Sequence, residues 1–233
     1  RNGMLMINAQ LSGRITSTII DCMNTIKCVI FDWDQTLYET FPVHMEGIQY
    51  AALECGRDVP SPADIISGYA ATIEEHLEAV LGSPVEPPLA KYLEFYYQRN
   101  LEMCKPFPYA SEVLEELKSK GYPLGLLSNK ESRAGFQEIE FSGLAAFFDV
   151  IAFREQVPEL KPKPGGLLWM LERLNVSPHE AIYIGDEPRD IQSAQLAGTK
   201  SGAALWGSLH PNELRAIGPT LEWKSLKAFK DSL

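Results

Sequence analysis

The sequence predicts an α/β fold, a Rossmann-like doubly wound parallel sheet carrying an inserted four-helix cap. Three observations predict it: short apolar runs recur at wide intervals, helical patterns lie between them, and residues 42–106 carry helical patterns alone. The first run, Ile26 to Phe31, holds the β-branched Val29 and Ile30 and ends at the polar Asp32, as a buried strand does. Tyr122 to Leu127, Val150 to Phe153 and Ala181 to Ile184 repeat the pattern, with a weaker run around Ser201 to Leu205. Between them Val113, Leu114 and Leu117 share a helix face closed by Gly121. Leu167, Leu168, Leu171 and Leu174 do the same after Pro164, and Ile191, Ala194 and Ala197 before Gly198. Strand alternating with helix implies parallel strands joined by right-handed crossovers.

From Pro42 to about Pro106 no strand is predicted. Helices are expected over Met45 to Cys55, from Ser61-Pro62, over Ile73 to Leu81 and over Leu89 to Met103, with proline-rich flanks suited to hinges. The expected organisation is a core of residues 23–41 and 107–233, a helical cap of 42–106, and an N-terminal extension of 1–22. The chain begins with Arg1, so Met23 is a plausible true start and the extension a non-native remnant.

Composition narrows the function. The 233 residues are 45% hydrophobic and 22% charged, which excludes a disordered, collagen-like or coiled-coil chain. Lys and Arg number 21 against 31 Asp and Glu, a net charge of −10, so a protein that coats nucleic acid or anionic membrane is not expected. An anionic substrate needs local positive charge. Cys22, Cys28, Cys55 and Cys104 have neither disulfide-framework nor zinc spacing and read as reduced thiols. With no apolar run long enough to span a membrane and no signal-peptide pattern, the expected location is the cytoplasm.

In an open parallel sheet, ligands bind beyond the carboxyl ends of the strands. Those ends carry Asp32-Trp33-Asp34-Gln35-Thr36, then Ser128-Asn129, then Lys161-Pro162-Lys163-Pro164, then Gly185-Asp186 with Asp190 beyond. Carboxylates suit a hard cation, and a lysine with a hydroxyl suits phosphoryl oxygens.

This ordered set, Asp-x-Asp-x-Thr, Ser-Asn, Lys-Pro-x-Pro and Gly-Asp-x-x-x-Asp, resembles the four motifs of the haloacid dehalogenase superfamily, phosphatase branch with a helical cap. The Gly68 loop and the Lys105-Pro106-Phe107-Pro108 exit resemble phosphoglycolate phosphatase-like members. The resemblance implies a Mg2+-dependent phosphomonoester hydrolase acting on a small phosphorylated metabolite. It makes Asp32 the nucleophile and Asp34 the general acid and base. It places Mg2+ on the Asp32 carboxylate, the Asp34 carbonyl and Asp186, with Asp190 in support, and the transferring oxygens on Ser128 and Lys161. Thr36, Asn129, His44 and Tyr69 complete the expected substrate contacts, and the expected state is monomer or homodimer. A phosphomutase shares the whole set and is the alternative. A non-catalytic phosphate-binding protein or a phosphorylated receiver fits less well, and Asp34 speaks against a dehalogenase or a phosphonate hydrolase.

Other residues have simpler readings. Gln35 stands where the family usually has glycine, and Trp33 in place of Phe reads as a volume change only. Lys163, Glu187 and Arg189 read as solvent-facing, His76, His179 and His210 as surface or packing residues, and Ser177 to Glu180 as a helix capping box. His44 has the competing reading of a partly exposed helix residue. Tyr92, Phe95, Tyr96 and Tyr97 read as the cap's own core.

Overall fold

The computed structural model describes residues 25–233. The expected extension of 1–22, the possible start at Met23 and Cys22 lie outside the described residues. Six strands form one parallel sheet: β1 (Cys28–Phe31), β4 (Leu124–Leu127), β5 (Val150–Ala152), β6 (Ala181–Gly185), β7 (Lys200–Ala204) and β8 (Leu221–Trp223). Their order is β5-β4-β1-β6-β7-β8, so β1 lies between the two strands that carry the other polar ends.

The alternation of side chains along β1 explains why both sheet faces are covered. Val29 and Phe31 pack into one cluster with Leu126 and Ile184, roofed by Val113, Leu114 and Leu117 of α5 (Ala110–Ser119). Cys28 and Ile30 point the other way, against Leu167, Met170 and Leu171 of α7 (Gly165–Leu174) and Ala194 and Ala197 of α8 (Pro188–Ala197). All four β1 residues are buried, which is why the strand reads as a continuous apolar run without alternation.

Between β2 (Tyr38–Glu39) and β3 (Lys105–Pro106) lie four helices: α1 (Phe41–Glu54), α2 (Pro62–Ser67), α3 (Ile73–Leu81) and α4 (Glu86–Met103). Strand β3 corrects the expectation of no strand before Pro106, since β2 and β3 pair antiparallel, Tyr38 with Pro106 and Glu39 with Lys105. Two residues per strand are too few for a periodicity to show. The ribbon brings the start and end of the helical stretch together beside β1.

Other elements escaped prediction for similar reasons. β8 is a three-residue edge strand, and α9 (Pro211–Ala216) and α10 (Leu226–Lys230) are short. Helix α6 (Ser132–Ser142) hides its period because Glu138 occupies a buried position on its face. The expected capping box at Ser177 is instead a three-residue 3-10 turn, Pro178–Glu180, with no side-chain cap bond. Its Glu180 carboxylate pairs with Lys27. Among the described residues no helix is long and apolar enough to cross a membrane, and Cys28, Cys55 and Cys104 are free.

Candidate active site

The strand ends converge. Asp32 follows β1, Ser128 follows β4, Asp186 follows β6, and all three side chains are buried. Lys161 arrives from the loop before α7, with Nζ 2.8 Å from Asp32 Oδ1 and 2.7 Å from Asp190 Oδ1. Asp190 sits in the first turn of α8, where its Oδ2 accepts the Glu187 N–H at 2.9 Å, so one carboxylate caps the helix and meets Lys161. Asn129 fixes the lysine loop to β4: its Nδ2 donates to the Lys161 carbonyl and its Oδ1 accepts the Lys161 N–H, each at 3.0 Å. Thr36 Oγ1 donates to Asp186 Oδ1 at 2.9 Å, tying the loop after β1 to the end of β6.

That loop turns tightly. Gln35 has φ of 55°, the left-handed region in which glycine costs least, and its Oε1 accepts the Thr40 N–H at 3.3 Å. The departure from glycine therefore carries backbone strain and gains one hydrogen bond. Gly207 packs against the same turn so closely that a Cβ there would stand 1.7 Å from the Gln35 carbonyl oxygen.

Asp32, Asp186 and Asp190 offer carboxylate oxygens within 4.8 Å of one another. Burial pushes the Asp32 pKa up to about 7, Lys161 pulling against it and Asp190 adding to it. Burial, then the charges of Glu187, Asp190 and Asp32, carries Asp186 well above the carboxylate range. Burial works against the Lys161 charge as well, yet Asp190 and Asp32 hold its pKa above the usual lysine value. Although Lys161 lies at ion-pair distance, Asp32 Oδ1 accepts no well-directed hydrogen bond. A crowded, oxygen-only set of buried carboxylates fits a hard divalent cation. The Asp34 side chain stands outside the trio: its Oδ1 accepts from Lys130 Nζ at 2.7 Å and Thr40 Oγ1 at 2.8 Å.

Lys130 was missed, although it directly follows Ser128-Asn129 at a strand end. Its ammonium also lies 3.1 Å from Oε2 of Glu138, which is fully buried on α6. Glu138 further accepts Trp33 Nε1 at 2.9 Å, Tyr96 Oη at 2.5 Å and Asn100 Nδ2 at 3.2 Å. Trp33 is thus more than a volume change, because its indole N–H ties the loop after β1 to α6. The signal for Glu138 was a charged residue between the apolar Ala134 and Ile139 positions of a helix face.

A cavity of about 130 Å3 opens over these groups, and His44, Tyr69, Tyr92, Tyr96 and Tyr97 from the helical stretch line it. The tyrosines of α4 therefore face the cavity as well as packing the helices, and His44 lines it while remaining half-buried. Glu187 and Arg189 also line it, correcting the solvent-facing reading: Glu187 is buried, and the Arg189 guanidinium lies over the Tyr69 ring at 5.6 Å while pairing with Glu187 at 2.9 Å. Lys163 is exposed as expected, with 70% of its side chain in solvent. His76 is buried against His44, whereas His210 stays half-buried, its Nε2 3.1 Å from the Ile66 carbonyl.

A parallel sheet with carboxylates, a lysine and a hydroxyl gathered at the ends of its central strands defines an α/β enzyme with an acidic, cation-compatible site. The family model of haloacid dehalogenase-like hydrolases matches residues 29–204, and the chain belongs to that family. It is 29% identical over 188 residues to a phosphoglycolate phosphatase of Aquifex aeolicus, covering 80% of this chain and 88% of that protein. It is likewise 29% identical over 181 residues to the pyrophosphatase PpaX of Bacillus cereus, covering 78% of this chain and 84% of the relative. A haloacid dehalogenase-like hydrolase of Streptococcus pneumoniae, 24% identical, superposes with a TM-score of 0.80 over 90% of this chain and all of its own.

Proposed function

We propose that the protein is a Mg2+-dependent phosphomonoester hydrolase acting on a small phosphorylated metabolite. The observation that carries this reading is the buried Asp32 carboxylate, 2.8 Å from Lys161 and grouped with Asp186 and Asp190. The names of the Aquifex and Bacillus relatives, both hydrolases of phosphoryl compounds, support the same class. Asp32, Asp186, Asp190 and the Asp34 carbonyl would hold Mg2+, which when bound supplies positive charge to the transferring phosphoryl oxygens.

An Asp32 oxygen attacks phosphorus in line, the ester P–O bond breaks, and Asp34 gives its proton to the departing alkoxide. Asp34 then takes a proton from water, whose oxygen attacks the aspartyl-phosphate, and phosphate leaves with Asp32 restored. To do this Asp34 exchanges its Lys130 and Thr40 partners for the substrate. Lys161 and Ser128 hold the phosphoryl oxygens, and Asn129 and Thr36 act by holding Lys161 and Asp186 in place. Residues 42–106 serve as the cap that excludes water, with His44 and Tyr69 toward the leaving group. The free thiols fit a cytoplasmic setting.

The test is p-nitrophenyl phosphate turnover with Mg2+, followed by rapid acid quench and peptide mass spectrometry. A phosphoryl adduct on Asp32, and loss of turnover by at least ~10³-fold in Asp32→Asn with the fold retained, are expected. An adduct-free enzyme with active Asp32→Asn would overturn the reading.

A further inference from the structure

The charge of the cavity wall speaks to the leaving group, an inference that rests on the phosphomonoesterase reading. Four cations line the cavity, Lys130, Arg154, Lys161 and Arg189. Each already has carboxylate partners. Lys130 has Asp34 at 2.7 Å and Glu138 at 3.1 Å, and Lys161 has Asp32 at 2.8 Å and Asp190 at 2.7 Å. Arg154 has Glu74 at 3.3 Å and Glu155 at 2.7 Å, and Arg189 has Glu187 at 2.9 Å.

The two histidines add no charge: burial disfavours their protonated forms, and a chain of hydrogen bonds occupies their ring nitrogens. His76 Nε2 lies 2.8 Å from the Ile65 carbonyl, which only accepts, so this nitrogen carries the proton. Its Nδ1 must then accept from His44 Nε2 at 2.8 Å, and His44 Nδ1 in turn accepts the Tyr92 hydroxyl at 2.8 Å. The Tyr92 hydroxyl can turn to accept, so these contacts alone would tolerate a second proton; burial opposes it, pushing the His44 pKa well down and that of His76 down to about 4. The remaining wall from the helical stretch is mostly aromatic and apolar, with Phe41, Tyr69, Ile73, Leu93 and Tyr96 among it, and carries one neutral hydroxyl, that of Thr72.

We infer that the substrate's leaving group is a small uncharged alcohol, and that the phosphoryl group is the substrate's sole anionic part. A carboxylate or second phosphoryl group would have to compete with the buried partners of Lys130 and Lys161 or with Glu187 for Arg189, or stay unpaired among aromatic rings and added negative charge, whereas the part-exposed pairs of Arg154 with Glu74 and Glu155 would yield more cheaply. Phenol and threonine hydroxyls such as those of Tyr69 and Thr72, in contrast, match hydroxyl or amide groups. The inference departs from the substrates named for the Aquifex and Bacillus relatives, whose leaving groups are anionic.

Steady-state kcat/KM with Mg2+ tests it on the wild-type protein, using 2-phosphoglycolate, its isosteric carboxamide, 2-hydroxyethyl phosphate, pyrophosphate and p-nitrophenyl phosphate. The carboxamide and the hydroxyethyl ester are expected to exceed 2-phosphoglycolate and pyrophosphate at least tenfold. Equal or greater kcat/KM for either anionic-leaving-group substrate overturns the inference while leaving the phosphomonoesterase reading standing. No turnover of any of the five, p-nitrophenyl phosphate included, removes that reading and this inference with it.

Discussion

Glutamate 138 offers the sharpest test of how the site is held. Its carboxylate is fully buried and faces four donors: the Trp33 indole, the Tyr96 hydroxyl, the Asn100 amide and the Lys130 ammonium. Replacing it by glutamine keeps the shape but turns one acceptor into a donor. Whichever way the amide is flipped, its NH2 faces two donors, Trp33 and Lys130 or Tyr96 and Asn100, and each lost acceptor costs about 1–3 kcal/mol. Lys130 also keeps only Asp34 as a carboxylate partner, and breaking one side of a buried ion pair costs about 3–5 kcal/mol. Glu138→Gln is therefore expected to lower stability by ~3–5 kcal/mol in urea unfolding followed by tryptophan fluorescence, a fall of roughly 6–20 °C in Tm for a chain of this size. Lys130→Met removes the other charge. If the two groups act as a pair, the double variant will be less destabilised than the sum of the singles by about 1–3 kcal/mol. A loss below ~1 kcal/mol for Glu138→Gln, or strict additivity, would refute the reasoning.

Other expectations concern the acidic trio and the turn beside it. Because the folded pKa of Asp32 is raised to about 7, above its unfolded value, the metal-free folded protein holds its proton more tightly than the unfolded chain does. Stability relative to Asp32→Asn should therefore be greatest near pH 4 and fall as pH rises to about 7, by up to ~1.4 kcal/mol per unit. Parallel pH profiles for the two proteins in chemical unfolding would remove this argument. Saturating Mg2+ should raise the Tm of the wild type at pH 7.5, because a cation offsets three carboxylates within 4.8 Å, and a calorimetric scan showing no rise would count against the metal site. Gly207→Ala should lower kcat severalfold or more with a folded circular-dichroism spectrum, since its Cβ would meet the Gln35 carbonyl at 1.7 Å and displace the turn after Asp34. Wild-type kinetics would show that this turn moves freely.

The amino-acid sequence by itself determined the sheet and the polar strand ends. A buried parallel strand declares itself through a local run such as Cys28 to Phe31, and its exit through the first charged residue, with no partner needed to read either. It also carried the helical stretch from Phe41 to Met103, whose caps and prolines are local signals, and the family motifs at Asp32, Ser128, Lys161 and Asp186. What it left hidden were short edges such as β2, β3 and β8, too brief for a period to appear.

Only the tertiary structure decided which charges are already spent within the site and which remain for a ligand. Trp33 meets Glu138 across 105 positions, Lys130 meets Asp34 across 96, and His44 meets His76 across 32. In the sequence nothing joins the two members of any of these pairs. Whether a buried ionisable group carries charge depends on the donors and acceptors that packing places around it, and one-dimensional spacing records none of them.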